Sequence, residues 1–185
     1  KQKYNNMACD IATGRVEACK ESVGGLRNLF IANFDSTLYS TATLTLDEMT
    51  ALASAVTTYK FELRGDNNTF EETNENSRDN GTSFWTQTGA FSLKKQDLAT
   101  QSALTLLSYG RPHIIVEDYN GNFRMAGFEN GCEVTVNTST GGAMGDLSGY
   151  NITFEGKERT PSTFIDPAIM DDVAGFVIDP TVINP

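Results

Sequence analysis

A single histidine, one tryptophan and three cysteines are the whole supply of imidazole, indole and thiol in this chain of 185 residues. One imidazole, His113, excludes every mechanism that needs two. Cys9, Cys19 and Cys132 form no CxxC pair. They supply neither the close four-ligand set of a zinc or iron–sulfur site nor the framework of a small disulfide-rich fold, and they read as reduced, mostly buried thiols. Cations are scarce too: Lys and Arg number 14 against 24 Asp and Glu, a net charge of −10. That balance argues against wrapping DNA or adhering to an anionic membrane, because both affinities come from clustered cations. DNA that passes nearby without sticking remains compatible with it. No apolar run approaches roughly eighteen residues, so no membrane-spanning helix is expected. The start, residues 1–6, is basic and polar with no apolar run behind it, which predicts no secretory signal.

What is abundant is threonine, with 22 copies, mostly alternating with apolar residues as half-buried strands require. Residues 26–34 read as a first strand and 41–46 as a second, short one. Thr45 and Glu48 have capping-box spacing, which predicts a helical turn over 47–54. Residues 56–63 alternate, with Tyr59, Phe61 and Leu63 on the core side, and 83–93 alternate again. One helix is expected over 95–109, stopped by Gly110 and Pro112. Strands at 113–118 and 123–128 flank an Asn120-Gly121 turn. Further strands are expected at 133–136 and 150–155. The sum is a mainly β chain: a β-sandwich or open barrel with one flanking helix. Its divisions are an N-terminal extension at 1–23, a β domain at 24–160 and a proline-rich arm at 161–185.

That last segment holds four of the five prolines, a density that predicts neither strands nor a long helix. Yet Phe164, Ile165, Ile169, Phe176 and Ile178 are too apolar for a disordered tail. The segment is therefore expected to dock, on its own domain or on a partner.

Signatures of chemistry are weak. Residues 141–146, Gly-Gly-Ala-Met-Gly-Asp, lack the Lys-Ser/Thr ending of a phosphate loop and read as a turn. No G-x-S-x-G occurs, and nothing marks a serine as a partner of His113. Glu71-Glu72 and Glu117-Asp118 are adjacent, so in strands they point to opposite faces and cannot cooperate. Asp66, Asn68, Glu71 and Glu72 are oxygen-rich but lack the spacing of a calcium loop. Arg64-Gly65-Asp66 matches an adhesion tripeptide and equally reads as a turn. The expectation is no catalytic residue, no cofactor and no metal.

The polar stretch between the strands at 56–63 and 83–93 is more informative. A loop near twenty residues without structure is uncommon, so a long protruding hairpin is expected over about 56–93. Between Glu62 and Asp79 it carries Glu62, Asp66, Glu71, Glu72, Glu75 and Asp79 against only Arg64 and Arg78. Such an arm faces either water or a neighbouring copy, where strand pairing would satisfy an open edge. Trp85 lies on its return strand.

Four segments together, EACKESVGGL (17–26), NGTSFW (80–85), YGRPH (109–113) and DLSGYNITFEG (146–156), resemble the tail-tube and neck-ring (head–tail connector) structural proteins of crAss-like and related phages of Bacteroidota. The likeness runs over roughly 19–160. It implies a tail-tube type of sandwich, with 59–63 and 83–91 as hairpin stems and 65–81 as the tip. It also implies a non-enzymatic virion protein of the tail or neck, assembled in the host cytoplasm. Implied partners are copies of itself in a six-fold or twelve-fold ring, adjacent tail, connector or portal-associated proteins, and genomic DNA passing through the lumen without specific binding; no membrane is implied. The residues named above on the hairpin become lumen or intersubunit residues, and the apolar residues of the arm become partner-docking ones. The alternative is a carbohydrate-binding or glycan-hydrolysing β-sandwich, in which Trp85 would sit in a hollow beside two separated carboxylates. A monomeric decoration protein fits the long polar arm less well.

Overall fold

The computed structural model describes residues 13–183 apart from residue 18. Residues 1–12, which include Cys9 and the start considered for a secretory signal, lie outside the described part. In chain order the elements are β1 (Leu26–Ala32), α1 (Leu38–Thr41), β2 (Thr43–Thr45), β3 (Glu48–Ala51), β4 (Val56–Glu62), β5 (Thr69–Ser77), β6 (Thr82–Lys94) and α2 (Leu98–Tyr109). They continue with β7 (His113–Asp118), β8 (Phe123–Ala126), β9 (Glu133–Ser139), β10 (Gly149–Glu158), β11 (Thr163–Ile165), a 3-10 turn at Pro167–Ile169 and β12 (Phe176–Ile178). Among the described residues the fold is mainly β, with two sheets and one helix longer than a turn.

Strands β1 and β7 are apolar at consecutive positions, which a strand covered on both faces requires. Leu29, Ile31, Ile114 and Val116 face one core, while Phe30 and Ile115 face another. Both strands lie at the centre of an eight-stranded sheet ordered β12-β4-β1-β7-β8-β11-β3-β2. The first core lies between this sheet and a four-stranded sheet ordered β5-β6-β10-β9, which contributes Phe91, Val134, Tyr150, Ile152 and Phe154. Helix α2 closes this core with Leu104, packing against β9. The second core gathers Met49, Ile165 and Phe176 from both ends of the large sheet. The sheet therefore curls until its ends share one interior, an open barrel packed against the four-stranded sheet.

Several expectations need correction. Residues 47–54 form no helical turn. Leu46 and Asp47, both at positive φ, make a tight hairpin turn between β2 and β3, and the only short helix nearby is α1. Strand β4 does not pair with β6. It pairs with β1 and β12 in the large sheet, and residues 63–68 cross to the other sheet. The long hairpin is β5–β6, with Thr69 opposite Ala90 and Ser77 opposite Thr82, and its tip is the four residues 78–81. On β4 the expected core side holds only in part: Leu63 is buried and Phe61 packs on the first core, but Tyr59 is exposed and Thr58 is fully buried. Cys132 is buried as expected, whereas Cys19 is exposed.

The proline-rich segment is part of the domain. Strand β11 pairs antiparallel with β8 and parallel with β3, and β12 pairs parallel with β4. The prolines punctuate these strands without entering them: Pro161 precedes β11, Pro167 opens the 3-10 turn, and Pro180 follows β12. Strands of three residues fit between such breaks, which a composition argument misses. Ile165, Ile169 and Phe176 are buried in the second core, and Ile178 packs on it. These four dock on their own domain. Phe164 is the exception, half-exposed beneath the Arg124 guanidinium at 4.4 Å from its ring centre.

Candidate functional site

The four-stranded sheet has one face on the core and one in solvent, and register assigns its residues. One inner row across the sheet is Phe70, Gly89, Phe154 and Val134. Gly89 leaves the gap over which Phe70 and Phe154 stack at 6.2 Å. A Cβ there would come within 2.3 Å of the Phe154 ring.

The outer face shows the opposite chemistry. Its rows are Thr69, Ala90, Thr153 and Thr135; then Glu71, Thr88, Glu155 and Glu133; then Thr73, Thr86 and Lys157; then Glu75 opposite Phe84. In these rows four carboxylates meet one lysine, and the face continues through Ser92, Asn151 and Asn137 to the exposed Lys94; Glu155 stands directly opposite Glu133, a like-charge pair that sheets ordinarily avoid. Lys157 Nζ lies 3.2 Å from Glu155, and the Thr86 hydroxyl donates to Glu75 at 2.5 Å. The face is hollow: a concavity of about 540 Å³ is lined by Thr69, Glu71, Thr88, Glu133, Thr135 and Glu155, among others. Its floor is short hydroxyl side chains and its walls are acidic. Among the described residues, strands β5 and β9 are the edges of this sheet, each paired on one side only.

The expected site residues scatter around this surface. Glu71 and Glu75 lie on the outer face. Glu72 points inward, as alternation requires, where it accepts from the Ser162 backbone N–H at 2.8 Å and lies 3.4 Å from Arg124 Nη1. Arg78 and Asp79 are exposed at the hairpin tip. Glu62, Arg64 and Asp66 are on β4 and the crossover, off the hairpin. Arg64 lies 3.7 Å from Glu62 in an exposed pair, an arrangement of little energetic worth. Asp66 lines an adjoining groove of about 440 Å³ with Gly25, Tyr119 and Asn122, which shares Thr69 and Glu71 with the concavity. Trp85 is half-buried on the inner face, opposite Asn74 and Glu158. It shares no hollow with Glu71, Glu133 and Glu155.

Glu133, Glu155, Lys157 and the threonine rows were not singled out in the sequence, although the alternation in β9 and β10 carried the signal. Which strands stand side by side is a tertiary fact, and only that juxtaposition makes one acidic row from three separate glutamates.

Other candidates are committed to structure. His113 is buried, its Nδ1 2.6 Å from the Gly127 carbonyl and its Nε2 accepting from the Asp35 backbone N–H at 3.0 Å. That pairing fixes a neutral ring with the proton on Nδ1, and burial holds its pKa below the usual 6.5. Glu158 is buried and accepts the backbone N–H groups of Glu129 and Asn130; its removal from water raises its pKa above the ordinary value. The glycine-rich loop at 141–146 spends its amides on its own carboxylate, Gly142 and Ala143 N–H donating to Asp146 at 2.9 and 2.8 Å. Asp118 is held likewise by Asn120 and Asn122. Among the described residues no three His, Cys, Asp or Glu side chains converge as a metal site requires, and no helix is long and apolar enough to cross a membrane. Compared with known proteins, the chain matches no family model, no curated protein and no solved structure.

Proposed function

We propose that this protein is a virion structural subunit whose four-stranded sheets join edge to edge into a ring or tube in a phage tail or neck, with the acidic, threonine-lined face turned toward passing DNA. The observation that carries the reading is that hollow outer face between two open edges. The sheet has four strands, each antiparallel to the next. Rotation about a channel axis therefore brings β9 of one copy antiparallel to β5 of the next, and every open edge acquires a partner. Six copies would close a barrel of about 24 strands, roughly 40 Å across at the backbone, wide enough for a duplex. Twelve-fold closure would be wider still. An acidic wall suits transit, because a cationic one would grip phosphate through counterion release. Adjacent tail, connector or portal-associated proteins would meet the rims of such a ring.

The glycan-binding alternative lacks an equivalent observation. Trp85 lies on the face opposite the carboxylate row, and the inward carboxylates Glu72 and Glu158 are already occupied.

The test is native mass determination with negative-stain imaging of the purified chain at increasing concentration. Rings or tubes of fixed subunit number are expected. Proline at Thr73 or Asn74, whichever keeps the monomer folded by circular dichroism, removes an N–H from the open edge and should abolish them. Rings that persist in that variant would remove edge pairing from the account, and a monomer that binds or cleaves glycans would overturn the reading.

A further inference from the structure

Helix α2 carries no charged residue over Leu98–Tyr109, in a chain with net charge −10. Its inward side places Thr100 and Leu104 against the domain. Its outward side presents Leu98 at 82% exposure, Leu106 at 74% and Tyr109 at 84%. Leu98, Ser102, Thr105 and Tyr109 fall at spacings of four, three and four, so they form one line along the solvent side. Three hydroxyls on this side bond to the helix's own carbonyls, while Gln101 and the Tyr109 hydroxyl lie at the exposed margin. Ser102 donates to the Leu98 carbonyl at 3.0 Å, Thr105 to that of Gln101 at 2.8 Å and Ser108 to that of Thr105 at 2.8 Å. With their hydroxyls satisfied inside the helix, these residues offer methyl and methylene surface and can be covered without stranding a donor.

The line is self-complementary. About a two-fold axis midway between Ala103 and Leu104, Leu98 faces Tyr109 of a second copy and Ser102 faces Thr105. Large side chains then meet at the two ends, and small ones lie at the crossing, where helices approach most closely. The antiparallel arrangement also opposes the two helix dipoles. An uncharged face is where two strongly acidic chains can meet with least repulsion.

We infer that α2 is a docking face for α2 of a second copy, in an antiparallel pair. The inference does not rest on the ring, which uses the sheet edges; joined to it, the contact would pair subunits of two facing rings. A twelve-residue helix is about 18 Å long, so this face alone covers far less than the roughly 800 Å² per partner of a standard interface. The pair is accordingly weak and concentration-dependent.

Sedimentation across a concentration series tests it, using wild type, Leu98→Glu and the edge-proline variant. Leu98→Glu should weaken pairing at least tenfold while leaving the fold unchanged by circular dichroism and any rings intact, and the edge-proline variant should do the reverse. In a background with Cys9 and Cys19 replaced by serine, Ser102→Cys and Thr105→Cys proteins are mixed and oxidised. The mixed disulfide should exceed either homodimer severalfold. Equal or dominant homodimers would overturn the antiparallel register, and unchanged association in Leu98→Glu, or none at millimolar wild-type protein, would overturn the docking face itself.

Discussion

His113 shows how one side chain can look catalytic in a sequence and be structural in the fold. Its two ring nitrogens join three segments: β7, which carries it, the chain after β1 through Asp35, and the chain after β8 through Gly127. Phe34 stacks on the ring at 5.1 Å, and Arg111 lies 3.9 Å from the centre of Phe34. Protonation would turn Nε2 from an acceptor into a donor facing the Asp35 N–H, so the native state keeps the ring neutral. Because burial lowers the native pKa below the unfolded 6.5, the unfolded chain binds the proton first. Stability attributable to His113 is therefore complete above the unfolded pKa and falls as the pH drops below it toward the native pKa. Glu158, whose native pKa is raised by burial, acts in the opposite sense: it contributes less strain as acid protonates it. A comparison of variants separates the two. Urea midpoints of wild type and His113→Gln at pH 7.5, 6.5 and 5.5 should show the wild-type advantage shrinking with acid, and a constant difference would remove the titration from the account.

At the scale of elements, the C-terminal strands decide how the second core closes. Phe176 is fully buried on β12, opposite Val56 of β4, and shares that core with Met49 and Ile165. Phe176→Ala should cost about 3–5 kcal/mol, the range for deleting a buried aromatic ring, read as a lowered urea midpoint. A chain ending at Thr160 should lose cooperative unfolding in calorimetry; a detachable arm would leave the transition unchanged. The sequence showed that this segment is too apolar to float, but not that its three-residue strands are spliced between others distant in the chain. The same limit explains the hairpin. Alternation in 69–77 and 82–94 is local and legible, so the strands and their acidic character could be read. The crossing of 63–68 to another sheet depends on β4 finding β1 and β12, a tertiary choice with no local mark. Thr45 and Glu48 misled for another reason. Their spacing suits a helix cap, yet Leu46 and Asp47 between them adopt the left-handed backbone that a two-residue hairpin demands, and strand pairing with β2 outweighs a preference worth only about 1 kcal/mol.

For the whole molecule, the distribution of charge matters more than its total. The net charge of −10 repels copies of the chain, and the proposed edge pairing would add to that repulsion, because Glu71 and Glu75 lie on β5 and Glu133 on β9. The outer face, with Glu71, Glu75, Glu133 and Glu155 exposed, would gather acid from every subunit into one lumen. That arrangement raises a self-repulsion that salt screens over about 10 Å at 0.1 M. Replacing Glu71, Glu133 and Glu155 with lysine leaves strand register and the inner core untouched, because all three side chains point away from it. In a conduit the substitution turns a repelling wall into a gripping one, multiplied by the number of copies. The triple variant should therefore retain duplex DNA in a filter-binding assay at low salt and release it steeply as salt rises, while wild type retains none at any salt. Under the conduit reading, particles built with the variant should assemble but deliver DNA slowly. A variant that assembles and ejects DNA at the wild-type rate would mean that this face does not line the channel, even if the subunits form a ring.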